Sequence, residues 1–534
     1  MPEWVGSRRR LLRLAFGAAL ATLAPTARAA RKALLLSGVR IGNGGHAFAG
    51  DSAVLTTLSP LPMRNVAHLR FVLAHPARVL FDVLQTGQGA ASEQPVTSGS
   101  SQLGSRTLRL PAGEHVLSWR PPRSLPARTY ILQVTVTGRG GGVTARSVAR
   151  LLGVDAGFLA RSAQPGDTAE LLIRTDAAAL TVQVLRSGPE TEPTYANDVV
   201  NGLTVTEPAT IDWTRHTDRP AAIGVRVGTD WPSGVYFARL DADDGRVGFA
   251  PLIVRPAQPS RRVAVVMPTS TWQAYNFYDA DGDGWGDTWY ARWTTRSVEL
   301  TRPMAFRGVP YRYRSYDLGF QHWLASTGKE VDVYADEDLE LFADPQALRS
   351  AYDLLVFPGH TEYVTERVYD LVQGYRDLGG NLLFLSANNF FRRVDRTQQT
   401  LTLVDEWRNL GRPEAALLGV QYVASDRGQH QQPFVVSGAD AAPWAFEGTG
   451  LANGSTFGRY GIEIDARSPE SPPQTQVLAT IPDLLGPGRT AEMTYYEEPS
   501  GARVFSAGAL NFGGQITLWP ETRQLLENIW QRLT

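Results

Sequence analysis

Cysteine is absent from all 534 residues. That excludes disulfides, thiolate metal sites, iron–sulfur clusters and a cysteine nucleophile. Lysine is nearly absent: Lys32 and Lys329 are the only two, so 52 − 2 = 50 basic residues are arginine. Neither sign of charge dominates, with 52 basic against 53 acidic residues and a net charge of -1, which gives no electrostatic case for a nucleic-acid partner. No apolar run reaches the ~18 residues of a membrane span. There is no Walker loop, no G-x-G-x-x-G after a strand, no H-E-x-x-H and no G-x-S-x-G. What is present is ordinary for a globular chain: 43% hydrophobic and 20% charged residues. At roughly 150 residues per domain, the length suggests about three domains.

The first 29 residues have the layout of an export signal. Ser7-Arg8-Arg9-Arg10-Leu11-Leu12-Arg13 resembles the twin-arginine signal, an apolar stretch follows from Leu14 to Leu23, and Ala27-Arg28-Ala29 offers a small-residue cleavage site. The expectation is export by the twin-arginine route to the periplasm or beyond. Cleavage would remove five Arg and one Glu, leaving 52 − 5 = 47 basic and 53 − 1 = 52 acidic residues, a net charge of -5.

Residues 30–150 show short alternating runs broken by Gly and Pro, among them Leu69–Leu73, Val79–Val83 and Tyr130–Thr137. Spacing of roughly 8–12 residues with turn signals between runs predicts a β-sandwich, and this stretch resembles an immunoglobulin-like accessory module. A second β-sandwich-like module is expected over 151–257, with Val235–Leu240 as its clearest strand. Neither module gathers catalytic residue types.

Beyond Arg262 the pattern changes. Val263–Val266, Val331–Tyr334, Leu354–Phe357 and Leu382–Leu385 are short apolar runs of the kind buried on both faces of a sheet. Between them lie helical stripes, Phe320/Trp323/Leu324 and Val368/Leu371/Val372/Tyr375. The alternation predicts that 258–534 is an α/β domain with a doubly wound parallel sheet, resembling the class I glutamine-amidotransferase type. Ligands bind such sheets at the carboxyl ends of the strands. The loops there carry Tyr275, Asp336, His360 and Glu362, and Asn388, while Tyr316 opens the helix before the second strand. The amidotransferase-like turn that would hold a nucleophilic Cys holds His360 and Glu362 instead. A carboxylate and an imidazole two residues apart suit metal ligation or proton transfer.

Several stretches together resemble the large subunit of N,N-dimethylformamidase over residues 231–534. They are Trp231-Pro232-Ser233-Gly234-Val235-Tyr236, Thr271-Trp272-Gln273-Ala274-Tyr275-Asn276, His360-Thr361-Glu362-Tyr363, Gly379-Gly380-Asn381-Leu382, Arg412-Pro413-Glu414 and Tyr495-Tyr496-Glu497-Glu498. The resemblance implies a mononuclear Fe(III) held by Tyr275, Tyr316 and Glu362, with His360 orienting a ligand or a water. It also implies a polar contact from Asn388, a role for Arg408 where the family has a lysine, and a base from Glu497 or Glu498. Three hard anionic oxygen donors favour a hard trivalent cation. The implied activity is hydrolysis of a formamide or small amide, with a small partner subunit or a second copy as partner.

Asp279-Ala280-Asp281-Gly282-Asp283-Gly284-Trp285-Gly286-Asp287 follows the D-x-D-x-D-G calcium pattern. Position twelve is Tyr290, where an EF-hand has a bidentate Glu, so the expectation is a calcium loop using Asp279, Asp281, Asp283 and Asp287 outside an EF-hand. Two functions follow: a metal-dependent amide hydrolase, or a non-catalytic, calcium-stabilised exported binding protein on a degenerate amidotransferase-like domain.

Overall fold

The computed structural model describes residues 35–86, 100–138, 141–192, 194–292 and 294–534. The export signal falls outside these residues. Most ordered segments are strands, and the helices are few and short.

Between Leu36 and Leu151, a three-stranded and a five-stranded sheet share one apolar core centred on Phe71, Phe81, Tyr130 and Leu132. Between Asp155 and Val254, a three-stranded and a six-stranded sheet enclose a second core around Leu171, Trp213, Tyr236 and Leu252. Each unit contains a parallel pair, Leu55–Leu58 with the strand ending at Leu151, and Ser162–Ala163 with the strand ending at Val254.

The third unit is built on a nine-stranded sheet. In spatial order its strands are Asp332–Ala335, Val263–Met267, Leu354–Phe357, Asn381–Phe384, Arg503–Ser506, Ala491–Glu497, Gln476–Ile481, Gln431–Val436 and Thr456–Gly461. The first five run parallel. The last four are joined antiparallel. This corrects the expected doubly wound α/β domain: the sheet is mixed, and the chain as a whole is β-rich. The reason lies beyond Arg412: Gln476–Ile481, Ala491–Glu497 and Arg503–Ser506 follow one another through short connections that pair them antiparallel, whereas a parallel pair needs a crossover of a dozen or more residues. Gln431–Val436 pairs antiparallel with Thr456–Gly461 across a longer segment that holds helix Pro443–Phe446. A further four-stranded sheet (Ser297–Glu299, Thr400–Glu406, Arg392–Arg396, Tyr363–Val364) and a two-stranded one (Gln421–Ser425, Glu463–Ala466) flank the site.

The strand Val263–Met267 is buried on both faces, as its continuous apolar run predicts. Val263, Val265 and Met267 join one core, and Ala264 and Val266 the other. Helix Glu366–Asp377 begins where Thr365 Oγ1 accepts from Val368 N at 3.2 Å, a side-chain N-cap. It buries Val368, Leu371, Val372 and Tyr375 and gives way to Gly379, whose φ of +87° a residue with a Cβ rarely adopts. The second unit is stitched to the edge of the large sheet by Ser233, whose Oγ accepts from Val333 N at 2.7 Å and donates to Val254 O at 2.9 Å. Among the described residues no helix is long and apolar enough to cross a membrane.

Candidate functional site

The loops that follow the parallel strands meet over the sheet. Strand Val263–Met267 runs into helix Thr269–Ala274, held at its start by Asp336. That carboxylate accepts from Thr269 Oγ1 (2.8 Å) and Ser270 N (3.0 Å), so Asp336 anchors a helix and does not line the cavity. The helix ends at Tyr275, whose N–H bonds back to Thr271 O. Thr271 Oγ1 accepts from Glu362 N (3.1 Å) and Tyr363 N (3.3 Å), fixing the next loop against the first. Asn389 Oδ1 accepts from Thr361 N at 3.0 Å and ties in the third. Gly359 lacks a Cβ because one would sit 2.2 Å from Asp317 Oδ1.

Glu362 is the centre of a phenol cluster. Tyr275 donates to its Oε2 at 2.6 Å, and Tyr290 reaches the same oxygen at 3.2 Å. Tyr290 and Tyr363 share a short hydroxyl contact, and Trp289 Nε1 donates to Tyr363 at 3.1 Å. Arg392 Nε stands 3.7 Å from Glu362 Oε1. Burial raises the Glu362 carboxyl against the opposing pull of Arg392. Burial, then the neighbouring Glu362, holds the Tyr275 phenol well above its ordinary range. Tyr316 is likewise raised by burial, although Arg312 donates to its hydroxyl at 3.2 Å.

His360 borders this cluster. Its Nε2 is 3.5 Å from Glu362 Oε2 and 3.4 Å from Glu463 Oε2, is buried, and forms no hydrogen bond. Burial pushes its pKa down to about 3, so the imidazole is neutral. Glu463 accepts from Asn388 Nδ2 at 2.8 Å, and Asn388 N donates to Asp465 Oδ1 at 2.8 Å. Asp465 is raised to about 7 by burial. Tyr275, Tyr316, His360 and Glu463 line one cavity, with Trp272, Ile462 and Leu510 as its apolar wall.

Backbone strain gathers here. Among the described residues seven non-glycine residues have positive φ, and four of them, Arg312, Asn388, Arg427 and Ile462, line or adjoin this cavity. A β-branched residue at φ +76°, as at Ile462, is a genuine outlier, and such strain clusters at functional sites.

The other expected site residues lie elsewhere. Glu497 accepts from Tyr495 (2.5 Å) and Arg532 (2.8 Å) at a half-exposed strand end. Glu498 stands 3.8 Å from Arg376. Neither lines the cavity. Arg408 pairs closely with Glu414 and donates to Tyr422 O at 3.2 Å, behind the Asn388–Asp465 contact. In the acidic loop, ligand atoms of Asp279, Asp281 and Asp283 lie within 4.8 Å of one another. Asp287 is not in that group, and its Oδ2 accepts from Ala280 N at 2.7 Å. The loop packs on the first unit, where Thr86 Oγ1 donates to Gly284 O at 2.9 Å and Arg150 to Ala280 O at 3.2 Å.

Sequence reasoning missed Glu463 and Tyr290. A signal for Glu463 existed: Ile462-Glu463-Ile464-Asp465 alternates apolar and acidic residues at strand period, which sets both carboxylates on one face.

The fold and the site define a β-rich protein with a mixed-sheet domain carrying a buried tyrosine–carboxylate cluster at the ends of its parallel strands. The model of the N,N-dimethylformamidase beta subunit-like C-terminal family matches residues 182–524, and the chain belongs to that family. No curated protein matches. Among solved structures, Salmonella alpha-2-macroglobulin reacted with methylamine overlaps at 13% identity over 42% of this chain and 17% of that chain, with a TM-score of 0.24. The native conformation of E. coli alpha-2-macroglobulin overlaps at 15% identity over 40% and 16%, with a TM-score of 0.23. The chain thus spans about a sixth of the length of these proteins.

Proposed function

We propose that this chain is an amide hydrolase acting on a formamide or small amide, with Tyr275, Tyr316 and Glu362 holding a ferric ion. The observation that carries the reading is the buried 2.6 Å contact of Tyr275 with Glu362, beside the cavity that Tyr275 lines together with Tyr316 and His360. The donor set fits such an ion. Two phenols and a carboxylate are hard oxygen donors, His360 Nε2 is a buried polar atom without a hydrogen bond, and phenols held this far above their ordinary range yield their protons only to a strongly polarising cation. When bound, such an ion polarises an amide carbonyl and makes water more acidic.

The protein's own groups supply the proton handling. Glu463, held by Asn388 and close to His360, is placed to take a proton from water as its oxygen adds to the carbonyl carbon. Returning that proton to nitrogen as the C–N bond breaks gives a carboxylic acid and an amine. Neutral His360 orients the water, and the apolar wall of Trp272, Ile462 and Leu510 limits competing solvent. Ferric loading of the metal-free protein, followed by an assay of amine release from formamides and small amides, tests this. Iron-dependent release supports it, and stoichiometric loading with no turnover across the series sinks the hydrolase reading.

Export by a twin-arginine leader at residues 1–29, and assembly with a small subunit or a second copy, belong to the same proposal. N-terminal sequencing of the exported protein and sedimentation of the purified one check them.

One observation favours the second reading, a calcium-stabilised binding protein. The Asp279–Asp281–Asp283 cluster sits in the loop that docks the third unit onto the first. That reading requires calcium to raise the melting temperature of an iron-free, colourless protein that hydrolyses no amide.

A further inference from the structure

Ile462 joins two strands that belong to different sheets. Thr456–Gly461 before it is the edge of the large sheet, and Glu463–Ala466 after it pairs with Gln421–Ser425. The chain turns at this residue, and its backbone is left-handed, with φ +76°. A glycine makes such a turn without strain, and one already stands beside it at Gly461. Isoleucine is a poor choice here, because a branched Cβ crowds the following carbonyl in the left-handed region. The turn alone therefore does not account for the side chain.

The side chain goes to the cavity. It is 6% exposed and packs with Tyr316, Ala387 and Leu510. Together with Trp272 and Leu510 it forms the apolar wall. Gly428 approaches it from the neighbouring turn, where a Cβ would lie 3.4 Å from Ile462 Cγ1. The space left is small: the cavity volume is about 40 Å³, room for roughly three waters. A side chain held in a strained conformation at a cavity wall points to a role in the shape of that cavity.

We infer that Ile462 is a specificity-determining residue, whose side chain limits this site to amides of a few heavy atoms. This rests on the hydrolase reading for the reaction and on the strained wall residue for the size limit. In a close-packed apolar wall, each additional methylene of a ligand needs space that only the removal of wall atoms provides. Trimming Ile462 therefore admits a larger group on the nitrogen or on the carbonyl carbon.

The test uses N-methylformamide, N-butylformamide, enlarged on the amine side, and N-methylbenzamide, enlarged on the acyl side. Ile462→Gly removes the wall and suits the left-handed turn. Ile462→Ala keeps only the Cβ, and serves if glycine loosens the turn. Binding is measured by calorimetry on the metal-free protein, and amine release on the iron-loaded one. The wild-type protein should favour N-methylformamide over both larger amides by roughly tenfold or more, the scale on which an apolar pocket discriminates by size. Ile462→Gly should bring that preference to about threefold or less against at least one of them, with Ile462→Ala between. A wild-type protein that takes all three alike, or a size preference unchanged in both variants, overturns the inference. The hydrolase reading fails separately. If no amine is released, tighter binding of a larger amide by Ile462→Gly than by the wild type still supports the size limit, and no gain in binding overturns it.

Discussion

Two regions of this protein present clustered oxygen donors, and they differ in who already uses those oxygens. In the loop 279–287 the carboxylates are neighbours in sequence and are occupied by their own backbone. Asp279 accepts from Gly282 N (2.6 Å) and Gly284 N (2.8 Å), Asp281 from Asp283 N (3.0 Å), and Asp283 from Trp285 N (2.9 Å). Such a turn holds its shape with or without a cation. Around Glu362 the donors come from residues 275, 290 and 316, far apart in sequence. They are buried: Tyr275 and Tyr290 donate to Glu362, Arg392 stands 3.7 Å from its other oxygen, and Arg312 donates to the Tyr316 hydroxyl. Burial of a carboxylate among phenols is costly unless something is gained by it. A local pattern in the sequence marks where a turn forms, and distant polar groups forced together mark where a ligand is wanted.

The comparison breaks most sharply at Glu362. Glu362→Gln keeps the shape and removes the anionic donor. Metal affinity should fall by more than the roughly 10- to 100-fold that loss of an outer partner costs, and amide turnover should vanish. Metal titration with a competing chelator reads this, and retained affinity would place the ion elsewhere. Next in size is Glu463→Gln, expected to lower kcat by about 10²–10⁴-fold, the range of a lost general base, while iron content stays at the wild-type level. A fall in iron content would make Glu463 a ligand.

A smaller effect concerns pH. Asp465 is raised by burial from its ordinary 3.8 to about 7. A carboxyl raised on folding contributes stability that is complete below the unfolded pKa and is lost as pH rises through the folded one. Melting temperature should therefore drop between about pH 4 and 7 by a component that Asp465→Asn removes, since asparagine keeps an acceptor for Asn388 N. An unchanged pH profile in that variant would show that Asp465 is ionised throughout. The smallest effect is expected at the acidic loop. Asp281→Asn, at an exposed position, should change stability by less than about 0.5 kcal/mol without calcium. A large loss that appears only when calcium is added would mean that the loop depends on its cation after all.

How much could be read from the sequence follows the same division. Val263–Met267, Leu354–Phe357 and Asn381–Phe384 announce themselves because strands covered on both faces are continuous apolar runs. The hairpins after Arg412 do not, because antiparallel strands alternate and mix with turn residues, and so the sheet was expected to be wholly parallel. Tyr275, His360, Glu362 and Asn388 are legible as loop residues after strands, and Tyr316 through the family resemblance. For Glu463 the alternation with Asp465 gives a strand face and nothing more: its strand Glu463–Ala466 pairs with Gln421–Ser425, and it reaches His360 through tertiary packing that no spacing encodes. Tyr290 was visible as the wrong residue for position twelve of a calcium loop, and its hydroxyl goes to Glu362 instead.

The central claim is that the tyrosine–glutamate cluster, and not the acidic loop, is the protein's metal centre. Metal content and the visible spectrum of the purified protein, taken side by side for the wild type and Tyr316→Phe, test it most directly. The account predicts about one iron per chain with a tyrosinate charge-transfer band that is lost or displaced in Tyr316→Phe. A colourless wild-type protein carrying calcium and no iron would contradict it.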